Sequence, residues 1–186
     1  MKRRTLKHPR KVMWAMRDFI NEIHDLTYTA LYWNFEEKKL ESKEEKAVCK
    51  MVHCKDNFSA CLSDKGYHEF RIGYDIEHLM NDKTGFRKNF ESRCPAARGF
   101  ADVTLALLHE LGHFSTEQDF EGTDYNRDAA MFTIFLLADS ETEANEMYFQ
   151  LPDERNATDW AIEWLANAEN RKTAKRFEKK FFACFE

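Results

Sequence analysis

The chain has 186 residues, of which 43% are hydrophobic and 33% are charged, and its formal net charge is −5. Such a composition is typical of a globular protein, and the small numbers of glycines (6) and prolines (3) argue against extensive disorder. The negative charge gives no case for nucleic-acid binding, and no apolar run has the length that a membrane-spanning helix needs. We therefore expect a single domain, residues 1–186, with neither a nucleic acid nor a membrane as its partner.

The N-terminal segment and the cysteines both indicate a cytoplasmic protein. The basic segment Met1–Lys11 has the charge of the start of a signal peptide, but Arg17 and Asp18 interrupt the apolar stretch that would have to follow. The five cysteines form no regular framework, so free thiols in a reducing compartment are the simplest interpretation. Cys49 and Cys54 have the spacing of half a structural metal site, but no second pair accompanies them, and we interpret both as ordinary thiols.

The first third of the chain predicts one long helix and a charged segment. Apolar residues recur at helical spacing after Pro9, a residue that suits a helix start, and predict a helix from Pro9 to about Tyr32. Residues 36–46 are mostly charged, and we expect them to be a solvated stretch.

Beyond the charged segment, apolar residues recur at every second position, and this pattern predicts a β-hairpin. Apolar residues alternate with other residues over 70–76, which is the pattern of a half-buried strand. Residues 58–63 form a suitable partner strand, and the sequence DKG at 64–66 favours a turn between the two. The polar residues 81–95 predict a loop that contains at most one helical turn.

The second half of the chain predicts a series of helices. The first, over 99–114, is apolar nearly all round its middle, so we expect it to be buried. The remaining helices are predicted over 128–137, 141–149, 154–167 and 172–182. Together with the hairpin, they indicate an α+β fold that is mainly helical and has a small antiparallel β-sheet.

The most informative motif is the pentapeptide His109–His113, HELGH, on the apolar helix. Residues four apart lie on one face of a helix, so His109 and His113 can offer two imidazoles to one metal ion. Glu110 follows the first histidine, where its carboxylate can act as the general base toward a water molecule that the metal activates. Gly112 allows another backbone to approach the ligands closely. These features predict a zinc hydrolase.

The motif resembles that of the gluzincin-type zinc metallopeptidases, in which a later helix supplies a glutamate as the third ligand and a small residue three positions on. Two segments fit this pattern. In the first, Glu154 is followed by Ala157 and then by Trp160 and Ala161, which we expect to point to the core. In the second, Glu141 is followed by Ala144. The continuation after Glu154 is the better match, so the resemblance favours Glu154 as the third ligand, with Glu141 as the alternative.

Within these peptidases the chain is loosely similar to the small ImmA/IrrE-like family. The segment Glu141–Asn145, ETEAN, followed by Leu151 and Pro152 resembles that family's own signature, and the likeness covers residues 99–167. The resemblance implies a zincin-like domain in which a strand beside the active-site helix presents its edge to an extended peptide, for which residues 67–76 are the candidate. His68 and Tyr148 are candidate donors to the oxyanion.

The sequence therefore predicts a zinc metallopeptidase with His109, His113 and Glu154 as ligands of Zn²⁺. Glu110 would be the general base, and the partner would be a protein or peptide substrate. The alternative is a non-catalytic protein, for binding or structure, that keeps the zinc site of a degenerate peptidase.

Overall fold

The computed structural model describes residues 6–54, 59–62, 69–76, 86–116 and 124–185. The chain forms two compact units, of which the first comprises Met1–Asp75 with Phe181–Glu186 and the second Ile76–Lys180. Whether they behave as the single domain expected from the sequence stays a prediction.

The described residues form an α+β fold that is mainly helical, which confirms the predicted class. The helices are α1 (Pro9–Ile23), α2 (Phe86–Arg93), a 3-10 helix (Pro95–Gly99), α3 (Asp102–Thr116), α4 (Arg127–Leu137), α5 (Glu141–Tyr148), α6 (Pro152–Ala166) and α7 (Ala168–Phe182). The strands are β1 (Thr27–Asn34), β2 (Lys39–Lys46), β3 (Val48–His53), β4 (Ser59–Leu62) and β5 (Glu69–Tyr74). None of the helices in the described part of the chain is both long and apolar enough to cross a lipid bilayer.

In the first unit, helix α1 is shorter than the sequence predicts. Its apolar stripe is buried, and the helix packs against β3, but it ends at Ile23. Leu26 adopts a positive φ of 42°, which turns the chain out of the helical direction. Residues 27–34 then form strand β1, so the prediction of a helix as far as Tyr32 is wrong. The physical reason is that the β-branched and aromatic residues of this segment favour an extended backbone.

The charged segment also contains a strand. β2 pairs antiparallel with β1, with Thr27 opposite Lys46 and Asn34 opposite Lys39. Its side chains are largely exposed, as expected for a solvated stretch. Because β2 buries no apolar face, its sequence carries no alternation from which the strand could be predicted.

The second sheet has three strands in the order β3-β5-β4. β4 and β5 are antiparallel, with Ser59 opposite Gly73 and Leu62 opposite Phe70, which confirms the predicted hairpin. Its turn, 64–66, lies outside the described residues. β3 runs parallel to β5, so this sheet is mixed rather than purely antiparallel.

Strand β5 is the central strand of its sheet, because β3 pairs with one of its edges and β4 with the other. The prediction that residues 67–76 present a strand edge to a peptide substrate is therefore wrong. The burial of Phe70, Ile72 and Tyr74 is the physical reason, since a strand this apolar is stabilised between two neighbours. The placement of a strand beside the motif helix stays a prediction.

In the second unit, α3 is buried almost continuously from Asp102 to Gly112, as its apolar sequence predicts. Its N-terminus is held by Glu178 of α7, whose Oε1 accepts hydrogen bonds from the Ala101 N–H (2.5 Å) and the Thr104 hydroxyl (2.9 Å). A carboxylate at this end of a helix is favoured by the helix dipole. The motif helix is thus fixed at its start as well as along its sides.

Helix α2 occupies part of the segment predicted as a loop, so that prediction is wrong for residues 86–93. Phe90 is fully buried, and the Arg87 guanidinium pairs with Glu91 (2.9 Å) and with Asp102 at the start of α3 (2.6 Å). Among the side chains of α2 whose burial the structure describes, Phe90 is the only buried one, and its charged neighbours leave too narrow an apolar stripe for periodicity to reveal the helix.

Candidate metal centre

Three side chains from two helices converge in the second unit. His109 and His113 lie one turn apart on α3, and Glu154 lies in the first turn of α6. Glu154 Oε2 is 2.9 Å from His109 Nε2 and 3.4 Å from His113 Nε2, and one ligand atom of each residue lies within 4.8 Å of the other two. His109 and Glu154 are buried, and His113 is partly exposed. The structure thus brings together all three predicted ligands.

The donor set and its spacing fit zinc. Two imidazole nitrogens and one carboxylate oxygen are a common ligand set of catalytic zinc. Two ligand atoms that each lie about 2.1 Å from a tetrahedral zinc ion are about 3.4 Å apart. The His113–Glu154 separation of 3.4 Å has this value, and the His109–Glu154 separation of 2.9 Å would have to open only slightly.

The two helices meet because both carry a small residue at their crossing. A Cβ placed on Gly112 would lie 2.2 Å from the carbonyl oxygen of Ala157 and 2.7 Å from its Cα, so the two backbones are in direct contact there. Ala157 is fully buried and lies one turn after Glu154. This confirms that Gly112 and Ala157 allow the close approach that the sequence predicts. Ala161 is also buried, whereas Trp160 is only half-buried.

Of the two glutamates that the sequence left open, Glu154 is the one beside the histidines. Glu141 is the first residue of α5, where its side chain is exposed. That Glu154 binds a metal ion stays a prediction, but its position is the one that a third ligand requires.

Glu110 is buried on α3 beside the first histidine. Burial by itself lowers the pKa of His113, but the hydrogen bond to Glu154 and the negative charges of Glu154 and Glu110 outweigh it and raise that pKa. The carboxylate of Glu110 is therefore close enough to act electrostatically on the centre.

Thr158 contacts the ring nitrogen of His109 that faces away from Glu154. The Thr158 hydroxyl donates to the Glu154 carbonyl oxygen (2.9 Å) and accepts a hydrogen bond from the Asn89 side-chain amide (3.1 Å). The same hydroxyl oxygen lies 3.2 Å from His109 Nδ1. With the hydroxyl hydrogen on the Glu154 carbonyl, the proton of neutral His109 lies on Nδ1 and the lone pair of Nε2 points toward Glu154.

In this tautomer Nε2 of His109 can bind a metal ion. His109 Nε2 and Glu154 Oε2 are 2.9 Å apart in a buried site, a separation that either a proton or a metal ion between the two atoms accounts for. Burial lowers the pKa of His109, although the hydrogen bond to Glu154 opposes that shift, and this favours the neutral imidazole that a metal ligand must be. The two atoms, together with His113, form a group that can hold a metal ion.

Arg127 is a part of the centre that the sequence did not predict. It lies at the start of α4 and donates a hydrogen bond to Glu154 Oε1 (2.7 Å), and it also pairs with Asp153. Burial raises the pKa of Glu154, but the hydrogen bonds and charges of His109 and His113 outweigh it, and the pKa is lowered. Glu154 is therefore an ionised carboxylate, as a metal ligand must be.

Tyr148, one of the two predicted oxyanion donors, lies at the centre. Its hydroxyl accepts a hydrogen bond from the Arg127 guanidinium (3.2 Å). Burial, together with the charge of Glu154, raises the pKa of Tyr148, so the hydroxyl keeps its proton. The other predicted donor, His68, lies outside the described residues.

The residues missed from the sequence differ in how far they could have been found. Thr158 lies four positions after Glu154, on the same face of α6, and this spacing is a usable signal. Asn89 lies in the segment predicted as a loop and Arg127 directly before a predicted helix, and their roles depend on tertiary contacts that no local pattern encodes.

A cleft of about 450 Å³ lies between α2 and α5. Its lining includes Asn89, Asn145, Phe149 and Gln150. The Phe149 ring also meets the His109 ring edge to face, with 6.4 Å between the centroids. The cleft is therefore connected to the centre through Phe149, and amide groups line it.

Comparisons of the chain with protein-family models, with curated proteins and with solved structures find no match. The resemblance to the zinc metallopeptidases thus rests on the motif residues, and membership of that class stays a prediction.

Proposed function

We propose that this protein is a zinc-dependent metallopeptidase in which His109, His113 and Glu154 hold Zn²⁺ and Glu110 is the general base. The observation that carries the proposal is the buried approach of His109 Nε2 to Glu154 Oε2 at 2.9 Å, with His113 Nε2 at 3.4 Å from the same oxygen. Two imidazoles and one carboxylate that converge in this way are a donor set for zinc.

When bound, zinc would polarise the scissile carbonyl and lower the pKa of a water molecule to near neutrality. The carboxylate of Glu110 accepts the proton of the attacking water and then delivers it to the leaving amine nitrogen. The Tyr148 hydroxyl, which keeps its proton, donates a hydrogen bond to the oxyanion as negative charge develops there. The proposed base Glu110 and the proposed donor Tyr148 thus belong to the same unit as the three proposed ligands.

A peptide fits the surroundings of the centre. The side-chain amides of Asn89, Asn145 and Gln150 line the adjoining cleft, and amides both donate to and accept from a peptide backbone. Because β5 has no unpaired edge, we propose that side chains of this kind hold the substrate. A cytoplasmic location is consistent with Cys49, Cys54, Cys94 and Cys184, which are free thiols.

The proposal is tested by metal content and peptide hydrolysis on one set of variants. The protein would be loaded with zinc, the metal measured by inductively coupled plasma mass spectrometry, and cleavage followed on a fluorescence-quenched peptide library. We expect one zinc per chain and cleavage for the wild type. Glu110→Gln should keep the zinc and lose cleavage, whereas Glu154→Gln should lose both. Glu141→Gln, the matched control on an exposed glutamate, should keep both.

The outcomes separate the proposal from its alternatives. Zinc binding without cleavage of any library member would favour the non-catalytic protein that keeps its metal. Loss of zinc in Glu141→Gln but not in Glu154→Gln would contradict the ligand assignment. Cleavage that survives in Glu110→Gln would contradict the role of the general base.

A further inference from the structure

Helix α4 is unusual for its composition and its exposure. Its last nine residues, Ala129–Leu137, contain no charged side chain, and Thr133 is their only polar member. Of the whole helix only Ile134 is buried. Five large apolar side chains are exposed: Met131 (38%), Phe132 (62%), Phe135 (80%), Leu136 (63%) and Leu137 (62%). We call the first four of these the α4 patch.

The α4 patch is a continuous face and not a scatter of exposed residues. At 3.6 residues per turn, these four side chains lie within an arc of about 140°, whereas Leu137 lies on the opposite side of the helix. Ile134 points away from this arc. A stripe of this width is what a helix uses to pack against another element.

We propose that the α4 patch is the interface of a homodimer, in which it packs against the α4 patch of a second copy of this chain. Counting about 200 Å² for a large apolar side chain, the patch exposes about 500 Å² of apolar surface. This lies in the upper part of the range of about 300 to 600 Å² for the largest apolar patch of a monomer. It is about 60% of the roughly 800 Å² that each partner buries in a stable interface, so residues around the patch would supply the rest.

Charge favours a second copy over a lipid surface. The patch itself holds no charge, so two copies bring no like charges into contact, and in a two-fold arrangement the antiparallel helix dipoles attract. Acidic residues flank it, with Asp128 before it and Asp139 and Glu141 after it. These carboxylates stay in solvent at the rim of a dimer, but they would be repelled by an anionic membrane. The proposal does not depend on the proposed enzymatic activity.

The experiment is sedimentation equilibrium of the full chain at about 5 to 100 µM, in low and in high salt. We expect the wild type to dimerise, and more tightly in high salt, because salt screens the acidic rims and strengthens apolar burial. Phe135→Ser should weaken the dimer by about tenfold or more, since a truncated central aromatic costs that much at an interface. The matched control is Phe35→Ser, at an equally exposed phenylalanine (84%) outside the patch, and it should leave the dimer unchanged.

Thermal melting and zinc content would confirm that both variants fold. A wild type that is monomeric throughout this range overturns the proposal. So does a dimer that Phe135→Ser leaves intact, or one that Phe35→Ser weakens equally. Sedimentation with phosphatidylglycerol vesicles that depends on Phe135 would assign the patch to a lipid surface instead. A monomeric protein that binds zinc and cleaves peptides would refute the proposed dimer and leave the proposed peptidase activity standing.

Discussion

Substitution of Gly112 by alanine tests whether the crossing of α3 and α6 determines the metal centre. The added Cβ would lie 2.2 Å from the Ala157 carbonyl oxygen and 2.8 Å from its carbonyl carbon. An ordinary contact is about 3.5 Å, so the helices would have to separate by roughly 1 Å. No side-chain rotation can relieve this clash, because the atoms that it involves are backbone.

The expected cost follows from two opposing effects. Overpacking of a tight contact costs typically up to about 3 kcal/mol, and the rigid backbone places Gly112→Ala near that upper value. Replacing glycine by alanine inside a helix recovers about 1 kcal/mol. We therefore expect a net loss of about 2 kcal/mol in the free energy of unfolding, which for a chain of this length lowers Tm by about 4 to 8 °C.

The same displacement would act on the metal. Glu154 lies one turn before Ala157, so a separation of roughly 1 Å carries its carboxylate away from His109 and His113 by a similar amount. Binding sites tolerate only about 0.5 Å of such displacement, and we expect zinc affinity to fall by at least about tenfold. The assay is thermal unfolding without metal, combined with zinc titration against a competing chelator.

Gly99→Ala provides the control, because a Cβ at Gly99 would meet nothing within 4 Å. We expect it to change neither Tm nor zinc affinity measurably. If Gly112→Ala melts within about 1 °C of Gly99→Ala and binds zinc equally well, the helices do not meet as closely as we infer. The account of how Glu154 reaches the histidines would then be refuted.

Three further predictions concern the surroundings of the centre and the thiols. Thr158→Val removes the acceptor of His109 Nδ1–H, and chelator competition should show zinc affinity lower by roughly 10- to 100-fold. Arg127→Met leaves the buried Glu154 without its charged donor, so urea unfolding of the metal-free protein should show a loss of about 2 kcal/mol, whereas an unchanged midpoint would contradict the contact. Burial raises the pKa of Cys49 to about 11, so at pH 8 iodoacetamide should label Cys49 far more slowly than the half-exposed Cys94, as read by peptide mass spectrometry.

Much of the candidate site could be predicted because its signals are local. The apolar period over 99–114 predicts a buried helix, and the spacing of His109 and His113 places both on one face of it. Both Glu154 and Glu141 are followed by an alanine three positions on, and the choice of Glu154 depended on its better continuation, Trp160 and Ala161. The contact of Ala157 with Gly112 explains why the residue three positions after Glu154 must be small. The close contact between the two helices requires a small residue on each, and Gly112 and Ala157 can be recognised as such in the sequence.

The predictions that were wrong concern strands whose formation depends on pairing with residues elsewhere in the chain. β1 and β2 hold each other through a ladder of backbone hydrogen bonds, while the side chains of β2 remain in water, so the charged sequence gives no sign of a strand. β5 is central because β3 pairs with it in parallel, and such a pairing cannot be read from either strand alone. Local periodicity reports which faces are buried and not which segment covers them.

Three protein ligands are the number that a catalytic zinc ion takes. A structural zinc ion takes four protein ligands, whereas a catalytic one takes three and leaves a position for water. Within the described residues, the group that can hold a metal has three members, His109, His113 and Glu154. Arg127 engages Oε1 of Glu154, so the carboxylate turns its other oxygen, Oε2, to the histidines and can supply one ligand atom. A zinc ion held by these three residues alone would keep a position for water, and Glu110 on the same helix is the proposed acceptor of its proton.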